Sequence, residues 1–571
     1  MQTLSLPIRF LACALVVISS ARGAAAQTSD ADRARIDAIA RDAADRFAAA
    51  NGGVDQTRPA VPGPPAGEQV NLTMDEATAR ALERNTDIAV ERLNPQTFDL
   101  QIAQINAVYR PTASSQVNTF YRVQPPTSTL NGGTVVDQTT NTYNTGIIQS
   151  VPWGGGNFSF LFNNNKQVTS NNLVNYNPAF NSNFSLSVTQ PLLRGFAIDN
   201  NRQRLRVTAL SRDASEYELR GTIATTLAAV RDAYWDLVFT IDALGVARNS
   251  LALAQKLVQD NQSRVEVGAM APLDVVTAQA QAAAAANDVT TATAARQTAE
   301  LALKRLIVNG TDDPVWTSTI NPTDRPTFDA QQPPDVQAAV KKALENRSDL
   351  AQARKTVESN ATVAKYLHNT TLPQLDFQAN YGAAGLGGTQ FTRSGSGVTS
   401  VITGTVPGGY SNAFRTLTGL NFPTWQYGIN FSYPLGGQSA AEAGYARAKV
   451  QQNQASAQLR AMELQAATDV TNTAQNIVNG LAQYQSATVA RQLAQQRLDA
   501  EQSRFDVGLS TNFNVVQAQR DLATAQNVEL RALLNYRKAL VDFDRAQNAP
   551  PGRPGAINAV NANAPGTVVA Q

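Results

Sequence analysis

The sequence has almost none of the side chains that build metal and redox sites. Cys13 is the only cysteine and His368 the only histidine. A transition-metal site usually takes three or four nitrogen or sulfur ligands, so we expect no bound metal and no cofactor. Lysine and arginine number 47 against 45 acidic residues, a balance that gives no reason to expect a nucleic-acid partner. No serine, carboxylate pair or basic cluster repeats in a way that suggests catalysis, and we expect no enzyme activity.

Long apolar runs are also scarce. The run from Phe10 to Ile18 follows Arg9 and precedes the small residues Ala24 to Ala26, which is the organisation of a secretory signal peptide over residues 1–26. This run is much shorter than the roughly 20 residues of a transmembrane helix. No later stretch is long and apolar enough to span a membrane. Insertion into a membrane would therefore require a closed β-barrel.

The chain contains two copies of one unit. The segment 81–88 (ALERNTDI) recurs as 343–350 (ALENRSDL), and 262–268 (QSRVEVG) recurs as 502–508 (QSRFDVG). Matches in the same order along both halves indicate an internal duplication. We predict these divisions: a signal peptide over 1–26, an N-terminal extension and Pro-rich linker over 27–70, a first repeat over 71–308, an equatorial connector over 309–334, a second repeat over 335–548 and a disordered tail over 549–571.

Each half is predicted to run helix, strands, long helix, tight turn, helix. A helix over 74–110 ends before Pro111, and its counterpart covers about 335–371. Residues 112–191 and 374–434 are rich in Thr, Ser, Asn and aromatics, with apolar and polar residues alternating as in strands. Such segments suit a membrane barrel, although a water-soluble β-sandwich would look similar. The first strand block is longer than the second, which leaves room for an extra hairpin.

Heptad spacing marks the long helices. Apolar residues lie seven apart without a break from Ile223 to Val265, and Leu227, Tyr234 and Ile241 supply the intervening positions. This 4,3 pattern is typical of coiled-coil packing. A continuous helix from residue 203 to 266 would extend ~95 Å at 1.5 Å per residue, which predicts a rod or a tube.

With these motifs the sequence resembles the TolC family over roughly residues 70–547. The most specific segments are RVEVG with LDVV in the first half and RFDVG with FNVV in the second. The resemblance implies an α+β fold in which the duplicated repeat supplies long coiled-coil helices to a periplasmic α-barrel. It further implies that three copies form the assembly, each giving four strands to a twelve-stranded transmembrane β-barrel.

The resemblance also implies roles for residues at the two turns. In the family the turn end of the tunnel closes and acidic residues form a constriction, which makes Asp274, Thr277, Asn514 and Gln517 the aperture candidates. Asn514 and Gln517 stand at acidic positions of the family but are uncharged. Asp274 is either a gate residue or a solvated carboxylate that favours the helix dipole after Pro272. The candidates for docking an adaptor are Val267, Gly268, Pro272, Val507, Gly508 and Leu509.

The function implied is that of an outer-membrane exit duct in a Gram-negative type of envelope. It would be the passive conduit of a tripartite efflux or type I secretion system, gated at its periplasmic tip. The implied partners are further copies in a homotrimer, a periplasmic adaptor, an inner-membrane pump and outer-membrane lipid. The alternative is a periplasmic coiled-coil scaffold or adaptor without a pore, which has no need for strand blocks at matching places in both halves.

Overall fold

A computed structural model describes residues 69–125, 135–171, 173–268, 270–325, 333–395, 400–435 and 439–550. The predicted signal peptide, nearly all of the N-terminal extension and nearly all of the C-terminal tail lie outside the described residues. The described chain divides into two compact units. Residues 91–221 and 344–468 form the unit that contains the large sheet, and the remaining segments form a helical unit.

The helices follow the predicted order. They are α1 (Met74–Arg84), α2 (Thr86–Asn106), α3 (Asn200–Glu266), α4 (Pro272–Ile307), α5 (Pro314–Thr317), α6 (Val336–Asn346), α7 (Ser348–Thr370), α8 (Tyr410–Thr418), α9 (Ser439–Asp506) and α10 (Asn512–Ala546). The strands are β1 (Gln69–Leu72), β2 (Thr112–Gln124), β3 (Val136–Ser150), β4 (Asn157–Thr169), β5 (Tyr176–Pro191), β6 (Thr319–Pro322), β7 (Gln374–Ser394), β8 (Val401–Val406) and β9 (Pro423–Ser432).

One antiparallel sheet joins the two strand blocks. Its order is β2-β3-β4-β5-β7-β8, and β9 also pairs with β7. The blocks meet where β5 pairs with β7, for example at Leu186 and Tyr381. Within the first block, β3 and β4 are joined at the predicted glycine turn, where Val151 N donates to Gly156 O at 2.8 Å.

The sheet has two chemically different faces, because side chains alternate along each strand. On one face, called here the apolar face, apolar residues of neighbouring strands lie opposite or diagonal to one another. Its members include Val117, Tyr143, Ile147, Phe160, Phe162, Phe184, Leu186, Tyr381, Trp425 and Tyr427. The opposite, polar face carries amides and hydroxyls, among them Asn118, Asn144, Asn163, Asn183, Ser185, Asn380, Gln426 and Asn430. Apolar and polar alternation of this kind is typical of a membrane β-barrel wall.

The short helix α8 packs on the apolar face. A Cβ atom at Gly385 would lie 2.1 Å from the Ala413 backbone oxygen, so only glycine allows the helix to approach this closely. The ring of Phe414 stacks on Phe162 with centroids 6.0 Å apart. The helix therefore covers one part of this face with its own aromatic residues.

The helical unit is built around a core that β1 and β6 help to close. These two strands pair in parallel, from Gln69 opposite Thr319 to Leu72 opposite Pro322. The heptad residues Val230, Tyr234 and Leu237 of α3 are fully buried in this core. The Tyr234 hydroxyl donates to Leu72 O at 2.9 Å and accepts from Asp324 N at 3.1 Å, which ties the helix to both strand segments. The predicted connector thus contains a helix and a strand.

The prediction of unbroken helices over 74–110 and 335–371 is wrong. The first breaks at Asn85, whose ψ of 125° is extended. The Asn85 Oδ1 accepts from Asp87 N and Ile88 N at 3.0 and 3.1 Å, and so caps α2. The second breaks at Arg347, whose ψ is 126° and whose Nε donates to Asp349 Oδ1 at 3.0 Å. The repeated eight-residue motif marks this helix break in both halves.

Two further expectations require correction. The first strand block has four strands, so the expected extra hairpin is present. Together with the second strand block, each copy therefore has more than the four strands that the resemblance implies. Among the described residues, α3 is long and apolar enough for a membrane span by length and composition. The expectation that no later stretch passes this test is therefore wrong. The same helix supplies heptad residues to the helical core, which accounts for its apolar character.

Candidate functional site

Two Val-Gly turns form the site. Each turn follows a long helix, and its glycine has a left-handed backbone conformation. Gly268 follows α3 with φ +76°, and Gly508 follows α9 with φ +80°. Gly268 N donates to Val265 O at 2.9 Å, Gly508 N to Phe505 O at 3.1 Å and Leu509 N to Arg504 O at 2.8 Å. These bonds satisfy carbonyls that the helix ends leave unpaired, and glycine adopts the required φ without steric cost.

A small hydrophobic cluster holds the two turns together. It is formed by Leu257, Ala278, Phe505, Val515 and Val516, with Val258 and Met270 packed against it. These residues come from both repeats, because α3 and α4 supply the first members and α9 and α10 the others. The two copies of the turn motif, separated by more than 200 residues in sequence, therefore share one core.

Polar contacts reinforce this junction. Arg264 Nη1 donates to Phe505 O at 3.2 Å, and its Nη2 lies 3.3 Å from Asp506 Oδ1. The guanidinium also lies 4.4 Å from the centre of the Phe505 ring, a favourable cation–π distance. The buried side chain of Asn512 donates to Asp274 O at 3.2 Å. The first-repeat arginine and the second-repeat asparagine thus each cross to the opposite turn.

The docking candidates expose apolar side chains around these turns. The side chains of Val267, Val507 and Leu509 are all mostly exposed, at 79%, 69% and 78%. Leu273 and Phe513, which the sequence analysis did not single out, are exposed to a similar extent. Exposed apolar side chains that cluster on a surface are typical of protein interaction sites.

The side chains of the aperture candidates differ in their exposure and in their hydrogen bonds. Asp274 is half-buried, and Thr277 is exposed with its hydroxyl donating to Leu273 O at 3.0 Å. Asn514 is exposed, and its amide donates to Ser510 Oγ at 3.4 Å. Gln517 is half-buried, and its amide donates to Asp521 Oδ1 at 2.9 Å.

Two carboxylates near the turns escaped the sequence analysis. Asp521 lies one helical turn after Gln517 and pairs with Arg497 Nη1 at 2.7 Å. Glu501 Oε2 accepts from Ser510 Oγ at 2.6 Å, and this hydrogen bond, aided by Arg504, lowers the pKa of Glu501. Spacing of four residues from Gln517 would have pointed to Asp521, since such residues share a helix face. Within the described ranges no group of three or more metal-ligating side chains could hold a metal ion.

Comparison with known proteins identifies the family. Residues 158–309 and 339–549 match the family described as outer membrane efflux protein. The chain belongs to the outer membrane efflux protein family. The predicted relation to TolC-like proteins, the outer-membrane location and the role as an exit duct of a tripartite efflux system are thereby confirmed. Direct comparison with curated proteins gives no match.

Solved structures of outer-membrane channels share the fold of this efflux protein. The Campylobacter jejuni channel CmeC is 15% identical with a TM-score of 0.58, and the match covers 83% of this chain and 85% of that one. Vibrio cholerae VceC is 15% identical with a TM-score of 0.58, over 84% and 97%. The open state of Neisseria gonorrhoeae MtrE is 16% identical with a TM-score of 0.56, over 84% and 89%.

The matches confirm the α+β fold class, in which long helices combine with an antiparallel sheet. Family and fold are those of transport channels rather than enzymes. Members of the family work with adaptor and inner-membrane pump partners in tripartite systems.

Proposed function

We propose that three copies of this efflux protein form the duct, that the two Val-Gly turns dock onto a periplasmic adaptor, and that side chains beside them line the aperture. The observation that carries the proposal is the shared core of the two turns, which presents both motif copies as one surface. We also propose that the repeats at 71–308 and 335–548, with the connector at 309–334, are its functional divisions.

The docking role rests on the shape and chemistry of the turns. Gly268 and Gly508 turn the backbone sharply and carry no side chain, so neighbouring apolar groups stand out from the surface. Space is not the reason for glycine, because a Cβ atom at either position would meet nothing within 4 Å. The positive φ alone requires it, and an L-residue held in this region costs about 1–2 kcal/mol.

Gly508→Val is expected to weaken adaptor binding while leaving the amount of protein in the outer membrane unchanged. The β-branched side chain shifts the backbone out of the left-handed region and moves Val507 and Leu509. A photoreactive residue placed at Leu509 in cells should capture the adaptor in the parent but several-fold less of it in the variant. Gly310→Val is the matched control, because Gly310 also has open space around it but no positive φ. Equal capture by all three proteins would contradict a docking role.

The aperture role rests on charge. Three copies would bring three Asp274 carboxylates near one axis, whereas Asn514 and Gln517 add polarity without charge. Attraction for a cation falls as fixed charges are removed, and salt screens what remains at a wet mouth. We therefore infer weak cation selectivity and weak block by divalent ions. The Asp521 carboxylate contributes little to either, because Arg497 pairs with it.

Replacing Asn514 and Gln517 together with Asp is expected to strengthen cation selectivity, most clearly at low salt. Reversal potentials of the purified protein in planar bilayers measure this, and divalent block should increase in parallel. The matched control is Asn476→Asp with Asn479→Asp, which adds the same charges at the same spacing of three residues to exposed positions of α9 about 30 residues before the turn. If the two double variants have equal selectivity, Asn514 and Gln517 do not line the constriction.

A further inference from the structure

The large sheet is six strands wide. Strands β2, β3, β4, β5 and β7 lie side by side, and the far edge of β7 pairs with β9 over 374–383 and with β8 over 390–394. Both outermost long strands have an edge without a partner strand among the described residues. All of β2 is exposed, as is nearly all of β9.

The free edges of β2 and β9 can pair with one another. Strand direction alternates across the whole sheet, so β2 and β9 run in opposite directions and can continue the antiparallel pattern between two copies. An open edge of this length presents a row of unpaired backbone groups, which hydrocarbon does not tolerate. A second copy of the same sheet satisfies both edges at once.

The β2–β3 hairpin has the chemistry of a barrel wall. Val117 and Tyr121 of β2 and Ile147 of β3 continue the apolar face, while Asn118 and Asn144 continue the polar face. The hairpin lies outside the family match, which begins at residue 158 in β4. The register with β4 is nevertheless unbroken along thirteen pairs, from Gln138 opposite Thr169 to Ser150 opposite Asn157. A hairpin with this continuity belongs to the wall and is not an appendage to it.

We propose that β2 of one copy pairs with β9 of the next, and that three copies thereby close an eighteen-stranded barrel. The proposal rests on the trimer of the proposed function and replaces the twelve strands that the family resemblance implies. Barrels of about 16 to 18 strands leave an aqueous channel, whereas barrels of about eight strands fill with side chains or hold one small ligand. The polar face would line this channel with amides and hydroxyls.

Cysteine crosslinking between copies distinguishes an eighteen-stranded barrel, closed by β2 and β9, from a twelve-stranded barrel, closed by β4 and β9. One set of double variants places cysteines at β2 positions Ala113, Val117 or Tyr121 together with β9 positions Trp425, Tyr427 or Ile429. The second set places them at β4 positions Phe158, Phe160 or Phe162 together with the same β9 positions. All variants carry Cys13→Ala. In a twelve-stranded barrel without the β2–β3 hairpin, β4 would be the strand that meets β9 of the neighbour.

We expect oxidation in outer membranes to give covalent dimers and trimers from the β2–β9 set and only monomers from the β4–β9 set. The control pair Phe184→Cys with Ala383→Cys joins register partners within one copy and should oxidise without a change in mass. Crosslinks from β4–β9 but not from β2–β9 would overturn the eighteen-stranded closure. A native-mass trimer that crosslinks in neither set would also overturn it. A monomeric native mass would contradict the trimer of the proposed function as well.

Discussion

Leu186→Arg is expected to remove most of the folded protein from the outer membrane. Leu186 lies on the apolar face of β5, opposite Phe160 on one side and Tyr381 on the other. An arginine that faces lipid near the middle of a bilayer costs about 2–4 kcal/mol in a β-barrel. At 1.4 kcal/mol per tenfold change, even the lower value shifts the folding equilibrium roughly 30-fold. Heat-modifiable mobility of the protein in outer-membrane fractions measures the loss.

Ser185→Arg is the matched control, because the neighbouring residue points to the polar face. Ser185 lies opposite Leu161 and Gly382, so the long side chain has space and can reach water. The amount of folded protein in the membrane should change less than about twofold, because an arginine on the channel side stays in water and does not place its charge in lipid. If both variants lose folded protein equally, the two faces do not separate lipid from water.

Lys304→Met is expected to destabilise the helical unit by about 2–3 kcal/mol, because it removes one of the two cations paired with the buried Glu300 carboxylate and the donor to two backbone carbonyls, while Arg296 Nη2 stays 3.2 Å from Glu300 Oε2. Lys304 Nζ lies 3.0 Å from Glu300 Oε1 and donates to Trp316 O and Ser318 O. The Lys304 and Glu300 side chains are only 4% and 8% exposed. The substitution therefore also loosens α5 and β6. Urea-induced loss of helical circular dichroism should shift to clearly lower urea.

Lys538→Met provides the comparison for a lysine on the surface of the same unit. Its ammonium lies 2.7 Å from Asp236 Oδ2, but the two side chains are 27% and 44% exposed. Exposed pairs contribute about 0–1 kcal/mol, so the urea transition should move little. Similar shifts in the two variants would show that the Lys304 contacts do not hold the connector in place.

The long helices and the turn glycines could be predicted because their causes are local. Heptads from Ile223 to Val265 specify α3 through a single periodicity, and the structure places its start within a few residues of the expected one. The requirement for glycine at 268 and 508 follows from helix termination, which depends on adjacent residues alone. The helix break at Asn85 also has a local cause, because asparagine is a preferred N-cap residue. Its neighbours are good helix formers, and for this reason the sequence pattern predicted a continuous helix.

Features that depend on distant residues could not be predicted in the same way. Nothing in the β1 sequence specifies that Gln69–Leu72 pairs with Thr319–Pro322, because that contact depends on how the repeats pack. The same holds for the pairing of β5 with β7. At the candidate site, the sequence predicted the positions of both turns. It did not predict the contacts of Arg264 with the opposite turn or the hydrogen bond from Gln517 to Asp521.

Solvent accessibility along β5 tests most directly whether the sheet is the wall of an outer-membrane duct. Single cysteines from Asn181 to Val188, each with Cys13→Ala, are treated in intact outer membranes with a charged, membrane-impermeant maleimide. If the sheet is this wall, labelling has a period of two: Asn181, Asn183, Ser185 and Ser187 react quickly, and Phe184, Leu186 and Val188 react slowly. Similar rates at all positions would contradict it, and would instead favour a water-soluble sheet on a periplasmic scaffold.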